Sequence, residues 1–99
     1  MGRVMVRYRV KPDQVERNEE LVRAVYEELA QTRPPGLRYA TFKLEDGVSF
    51  VHIASVEGPN PLQELAAFQR FQKGIASRCD EAPVTAQLEE VGSYAMFGG

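Results

Sequence analysis

Residues 37–56, LRYATFKLEDGVSFVHIASV, read as two strands folded back on each other. Residues 37–44 and 48–56 are rich in β-branched and aromatic side chains, and the Asp46-Gly47 pair between them is a strong hairpin signal. Outward on the N-terminal side, Arg33-Pro34-Pro35-Gly36 must end any helix, because two prolines cannot continue one. Before it, Val15, Asn18, Leu21, Val22, Val25 and Leu29 recur at helical spacing, and Glu16, Arg17, Glu20, Arg23, Glu27 and Glu28 fill most of the other positions. Asp13 followed by Glu16 fits an acidic capping box at the start of this helix.

Outward on the other side, Gly58-Pro59-Asn60-Pro61 makes a loop. Asn60 suits an N-cap, Pro61 the first helical position, and Gln63 the far end of a second capping box. Leu65, Phe68, Gln72, Ile75 and Cys79 then form one helical stripe, predicted to stop near Asp80-Glu81-Ala82-Pro83. The outermost elements are strands. Residues 3–10, RVMVRYRV, alternate with period two, and a last strand is expected from Val84 through Leu88 to Val91, with Gly92 as a bulge or bend. The order is βαββαβ. Two right-handed crossovers of this kind give a four-stranded antiparallel sheet with both helices on one face, an α+β, ferredoxin-like domain spanning 1–99, with 93–99 as a C-terminal arm.

Composition narrows the function. Twelve basic and fourteen acidic residues give a net charge of −2, which argues against nucleic-acid binding by bulk charge. One cysteine, Cys79, excludes an internal disulfide and an all-thiolate zinc site. No stretch approaches the roughly 20 apolar residues of a membrane span, and the N-terminus alternates where a signal peptide would need an apolar block, so a cytoplasmic protein is expected. The hairpin strands lack the basic and aromatic pattern of an RNA-binding sheet. Copper carriage would need a Cys-x-x-Cys loop, and phosphate chemistry a glycine-rich loop where Lys11-Pro12-Asp13 stands.

Placing the more aliphatic face of each strand against the helices predicts Val4, Val6 and Tyr8 inward on the first strand, Ala40, Phe42 and Leu44 on the second, and Val51 and Ile53 on the third. The uncovered face then carries Met5, Arg7, Arg9, Tyr39, Thr41, Lys43, Phe50, His52 and Ala54. Such a mixed face suits a cavity closed by a second copy of the chain. His52, the only histidine, is the candidate general base, and Arg7 on the neighbouring strand is the candidate for stabilising an anion. Tyr39, Thr41, Phe50 and Met5 are expected to line the substrate pocket. A histidine that only hydrogen-bonds a neighbour, and an arginine that only pairs across a dimer, fit the same positions. A lone histidine makes no metal site, and none is expected.

The βαββαβ order, the FVHIASVEGPNPLQELAAFQRF stretch and the PVTAQLEEVGSYAMF ending resemble the antibiotic biosynthesis monooxygenase group of dimeric α/β barrels over nearly the whole chain. The resemblance implies a homodimer joined through the open sheet faces, with the segment after Gly92 reaching over the partner. It implies cofactor-independent oxygenation of a small aromatic or quinol substrate, with no cofactor; composition already speaks against a nucleic-acid or membrane partner. Haem-degrading members place their histidine on a helix, whereas His52 falls on a predicted strand. Isomerisation, a non-catalytic ligand-binding dimer and a purely structural dimer remain alternatives.

Overall fold

The hairpin is tied at its turn by a single carboxylate. In the computed structural model, which describes residues 2–95, Asp46 Oδ1 accepts from the Val48 and Ser49 amides at 2.9 and 2.8 Å, and Oδ2 accepts from the Ser49 hydroxyl at 2.6 Å. These bonds, the hydroxyl's first, hold the Asp46 pKa down to about 2. Gly47 takes the left-handed conformation the turn needs, at φ 78°. Strands β2 (Leu37–Lys43) and β3 (Ser49–Val56) leave this turn as an antiparallel pair.

The outer strands are β1 (Gly2–Val10) and β4 (Cys79–Gln87), and the sheet order is β2-β3-β1-β4, antiparallel throughout. One long helix, α1 (Val15–Thr32), packs on the sheet through Leu21 and Val25, with Asn18 fully buried about one turn before Leu21. It ends where Arg33 turns left-handed and its amide returns to the Leu29 carbonyl at 2.8 Å, just before the two prolines. The expected Asp13–Glu16 capping box does not form. Pro12–Gln14 makes a tight 3-10 turn instead, and Gln14 precedes the helix without a side-chain cap.

The second helical stretch departs from the single helix expected. Asn60 Oδ1 does cap the Leu62 amide at 2.9 Å, but residues Pro61–Glu64 form a 3-10 turn. The chain then breaks at an extended Leu65 before α2 (Ala66–Gln72), and again at Lys73-Gly74 before the single turn α3 (Ile75–Arg78). The second break is stabilised by Arg78, whose guanidinium donates to the Phe71 carbonyl at 2.8 Å and the Lys73 carbonyl at 3.4 Å. A helix end leaves such carbonyls without partners, and a buried guanidinium supplies donors for them.

With the helix closed at Arg78, β4 begins at Cys79, five residues before the expected Val84, and ends at Gln87 rather than Val91. Register shifts opposite Arg7–Arg9 and Arg9–Val10 let this edge strand absorb Pro83, which cannot donate a ladder bond. Residues 88–95 carry no regular structure, so Gly92 lies outside any strand. Of the expected arm, 93–95 are exposed and 96–99 lie outside the described residues.

Register decides which face is covered. Val4 pairs with Ala54, Val6 with His52 and Tyr8 with Phe50, while Tyr39 pairs with Ala54, Thr41 with His52 and Lys43 with Phe50. Residues directly opposite on an antiparallel ladder share a face. The helices therefore cover Tyr8, Phe50, His52 and Ala54, all at most 5% exposed. Ala40, Phe42, Val51 and Ile53 lie on the open face with Met5 and Arg7. The expectation for β1 holds, and those for β2 and β3 are inverted. Aliphatic content judged strand by strand failed because each strand's face is fixed by its neighbour's register.

Candidate functional site

Beneath the 3-10 turn and α2 the helical layer stands away from the sheet, leaving a cavity of about 260 Å³. Val4, Val6, Ala54, Leu62, Phe68 and Phe71 make its apolar walls. Tyr8, Tyr39 and His52 supply polar groups, and the exposed residues Asn60, Gln63, Gln72 and Thr85 stand at its mouth. An apolar hollow with a few convergent polar groups is the usual form of a small-molecule site.

His52 is held at both ring nitrogens. Nε2 lies 2.7 Å from the Tyr8 hydroxyl, and Nδ1 lies 2.6 Å from the Tyr39 hydroxyl and 3.1 Å from Thr41 Oγ1. Its ring packs on Phe71, with centroids 5.1 Å apart. Burial lowers its pKa from 6.5 to about 4, so the imidazole is neutral at neutral pH. Burial also pushes the phenols of Tyr8 and Tyr39 well above their ordinary value. Behind Tyr8, Asn18 Nδ2 donates to its hydroxyl at 2.9 Å. Arg78 Nε and Nη2 both donate to Asn18 Oδ1 at 3.3 Å. Arg78 is 6% exposed, forms no ion pair among the described residues, and lies over the Phe71 ring at 5.4 Å. On the far side, Thr41 Oγ1 meets the Tyr26 hydroxyl at 2.8 Å.

The expected site residues separate into three groups. His52 and Tyr39 line the cavity together. Thr41 touches His52 from a neighbouring groove, and Phe50 is buried behind the site, stacked on Tyr8 at 5.6 Å. Met5 and Arg7 lie on the opposite face of the sheet. Arg7 pairs with Val51 while His52 pairs with Val6, so alternation sends the two side chains in opposite directions and they share no cavity. The cavity lies under the helices, not on the open face.

Asn18, Tyr8 and Arg78 were not singled out from sequence. The signal for Asn18 was present as a polar residue within an apolar helical stripe, since a buried amide requires partners. Arg78 carried no comparable pattern, because its burial follows from the unforeseen break in the helix. Among the described residues no group of three or more His, Cys, Asp or Glu side chains gathers to hold a metal ion, and no helix is long and apolar enough to cross a membrane.

No protein-family model and no curated protein matches the chain. Solved structures do. A Nitrosomonas europaea protein provisionally assigned as an antibiotic biosynthesis monooxygenase superposes with a TM-score of 0.76 at 21% identity, covering 93% of this chain and 100% of that one. SnoaB, a cofactor-independent oxygenase from Streptomyces nogalater, gives 0.66 at 14% identity, covering 93% and 94%. A conserved protein from Methanosarcina mazei gives 0.71 at 17% identity, covering 90% and 91%. The chain shares the fold of these proteins over nearly its whole length.

Proposed function

We propose that this chain is an antibiotic biosynthesis monooxygenase-like protein that oxygenates a small aromatic or quinol substrate in this cavity without a cofactor. The carrying observation is a neutral, buried His52 clasped between two tyrosine hydroxyls at the wall of an apolar hollow. The fold shared with a cofactor-independent oxygenase supports the same reading. A flat ring sits among Leu62, Phe68 and Phe71, and its oxygen meets the Tyr39–His52 pair. An electron-rich ring bound in this way passes an electron to dioxygen. One oxygen atom joins a ring carbon, the other leaves as water, and the substrate gives up two hydrogens. Arg7 takes no part in this cavity.

The open sheet face supports a homodimer. Met5, Ala40, Val51 and Ile53 form an aliphatic patch beside Arg7 that no element among the described residues covers, and uncovered patches of this kind mark association sites.

The test is turnover of a panel of hydroxynaphthalenes under isotopically labelled dioxygen. One labelled oxygen atom in the product is expected, and His52→Ala should slow its formation by about 100-fold. Saturable binding with no label incorporated overturns oxygenation in favour of a non-catalytic ligand-binding protein.

A further inference from the structure

Six side chains form one hydrogen-bonded line from Arg78 through Asn18, Tyr8 and His52 to Tyr39 and Thr41. Its inner end has only one possible polarity. A guanidinium donates and never accepts, so Asn18 must turn Oδ1 toward Arg78 and Nδ2 toward Tyr8. The opposite amide orientation would set two donors against each other beside a buried cation. The Tyr8 oxygen therefore accepts from Asn18. Its own proton has one acceptor among its partners, His52 Nε2 at 2.7 Å. Leaving that buried proton unpaired would cost about 1–3 kcal/mol.

We infer that Arg78 and Asn18 fix His52 as the tautomer protonated at Nδ1, so that the site presents a proton donor to its ligand and selects an acceptor oxygen such as that of a phenolate or an enolate. This rests on the reading of the cavity as a ligand site and narrows its ligand class. With Nδ1 protonated, His52 donates to the Tyr39 oxygen at 2.6 Å. The Tyr39 proton then points onward, to Thr41 or to an acceptor in the cavity. His52 has no lone pair left for a ligand hydroxyl, because Tyr8 occupies Nε2. Arg78 and Asn18 touch no ligand and act as positioning residues through Tyr8.

The chain has one histidine, so its side-chain nitrogens can be read by NMR without assignment of the rest. At neutral pH the proton is expected on Nδ1, with Nε2 unprotonated. A proton on Nε2 overturns the inference in the wild-type protein, with no variant that must fold. The second arm compares naphthoquinone with naphthalene, rings of similar shape with and without acceptor oxygens. Naphthoquinone should bind about tenfold more tightly, a difference corresponding to one hydrogen bond, and Tyr39→Phe should abolish the preference. An equal affinity for the two probes in the wild type overturns the ligand class. An Nδ1 proton together with binding of neither probe leaves the donor direction standing and overturns the cavity reading beneath it.

Discussion

The two faces of the sheet mix polar and apolar side chains in different ways. The face under the helices sets a histidine, a threonine and two tyrosines among Val4, Val6, Phe50 and Ala54, whereas the face without helical cover sets Met5, Ala40, Val51 and Ile53 among Arg3, Arg7 and Arg9. Apolar character alone would not put the histidine inside. The covered face is admissible because its polar atoms are paired, and no buried side-chain nitrogen or oxygen among the described residues lacks a partner. What a layer can bury depends on whether its hydrogen bonds close, as well as on its hydrophobicity.

Three changes probe that contrast. The largest effect is expected on the open face. Ile53→Glu places a charge on each chain where two sheets would meet, and should weaken self-association by at least about 1,000-fold (about 4 kcal/mol) in sedimentation equilibrium, because two buried unpaired charges are costly. A wild-type chain that is already monomeric at micromolar concentration removes the dimer. On the covered face, Asn18→Leu strips Arg78 of one acceptor and Tyr8 of its donor. It should cost about 3–4 kcal/mol in urea unfolding, against a few tenths for the exposed Arg17→Ala. Equal losses in the two variants would show that the buried line contributes nothing.

The smallest effect is a pH dependence. Burial sets the His52 pKa at about 4 in the folded chain against 6.5 unfolded, so the unfolded state binds more protons between those values. Stability from neutral His52 is complete above pH 6.5 and falls as the pH drops toward 4, by on the order of 3 kcal/mol. His52→Gln should flatten the curve in that window. A variant as acid-sensitive as the wild type assigns the loss to other groups.

Much of the fold was legible in local chemistry. The Asp46-Gly47 turn, the Pro34-Pro35 stop and the Asn60 cap each work through atoms near in sequence, and each stands close to where it was read. The misreadings share a longer reach. Arg78 is 60 residues from the Asn18 carbonyl it binds, and that interaction accompanies the early helix break and the early start of β4. The faces of β2 and β3 depend on pairing with β1, which no pattern within either strand reports. The sequence places His52 and Tyr39 on one face, and they share one, since the faces of β2 and β3 are inverted together. It places Arg7 with them, and Arg7 lies on the far side, because the face of β1 is not inverted.

The place of Arg78 has a consequence for the chain during its synthesis. Tyr8, Asn18, Tyr39 and His52 all leave the ribosome before Arg78 does, and β1 finds its second neighbour only when residues 79–87 follow. Until then the Asn18 carbonyl has no guanidinium to meet, and the N-terminal strand is an open edge. The last helical turn to emerge thus closes the polar core, and pairing across nearly the full length of the chain is the kind that folds slowly.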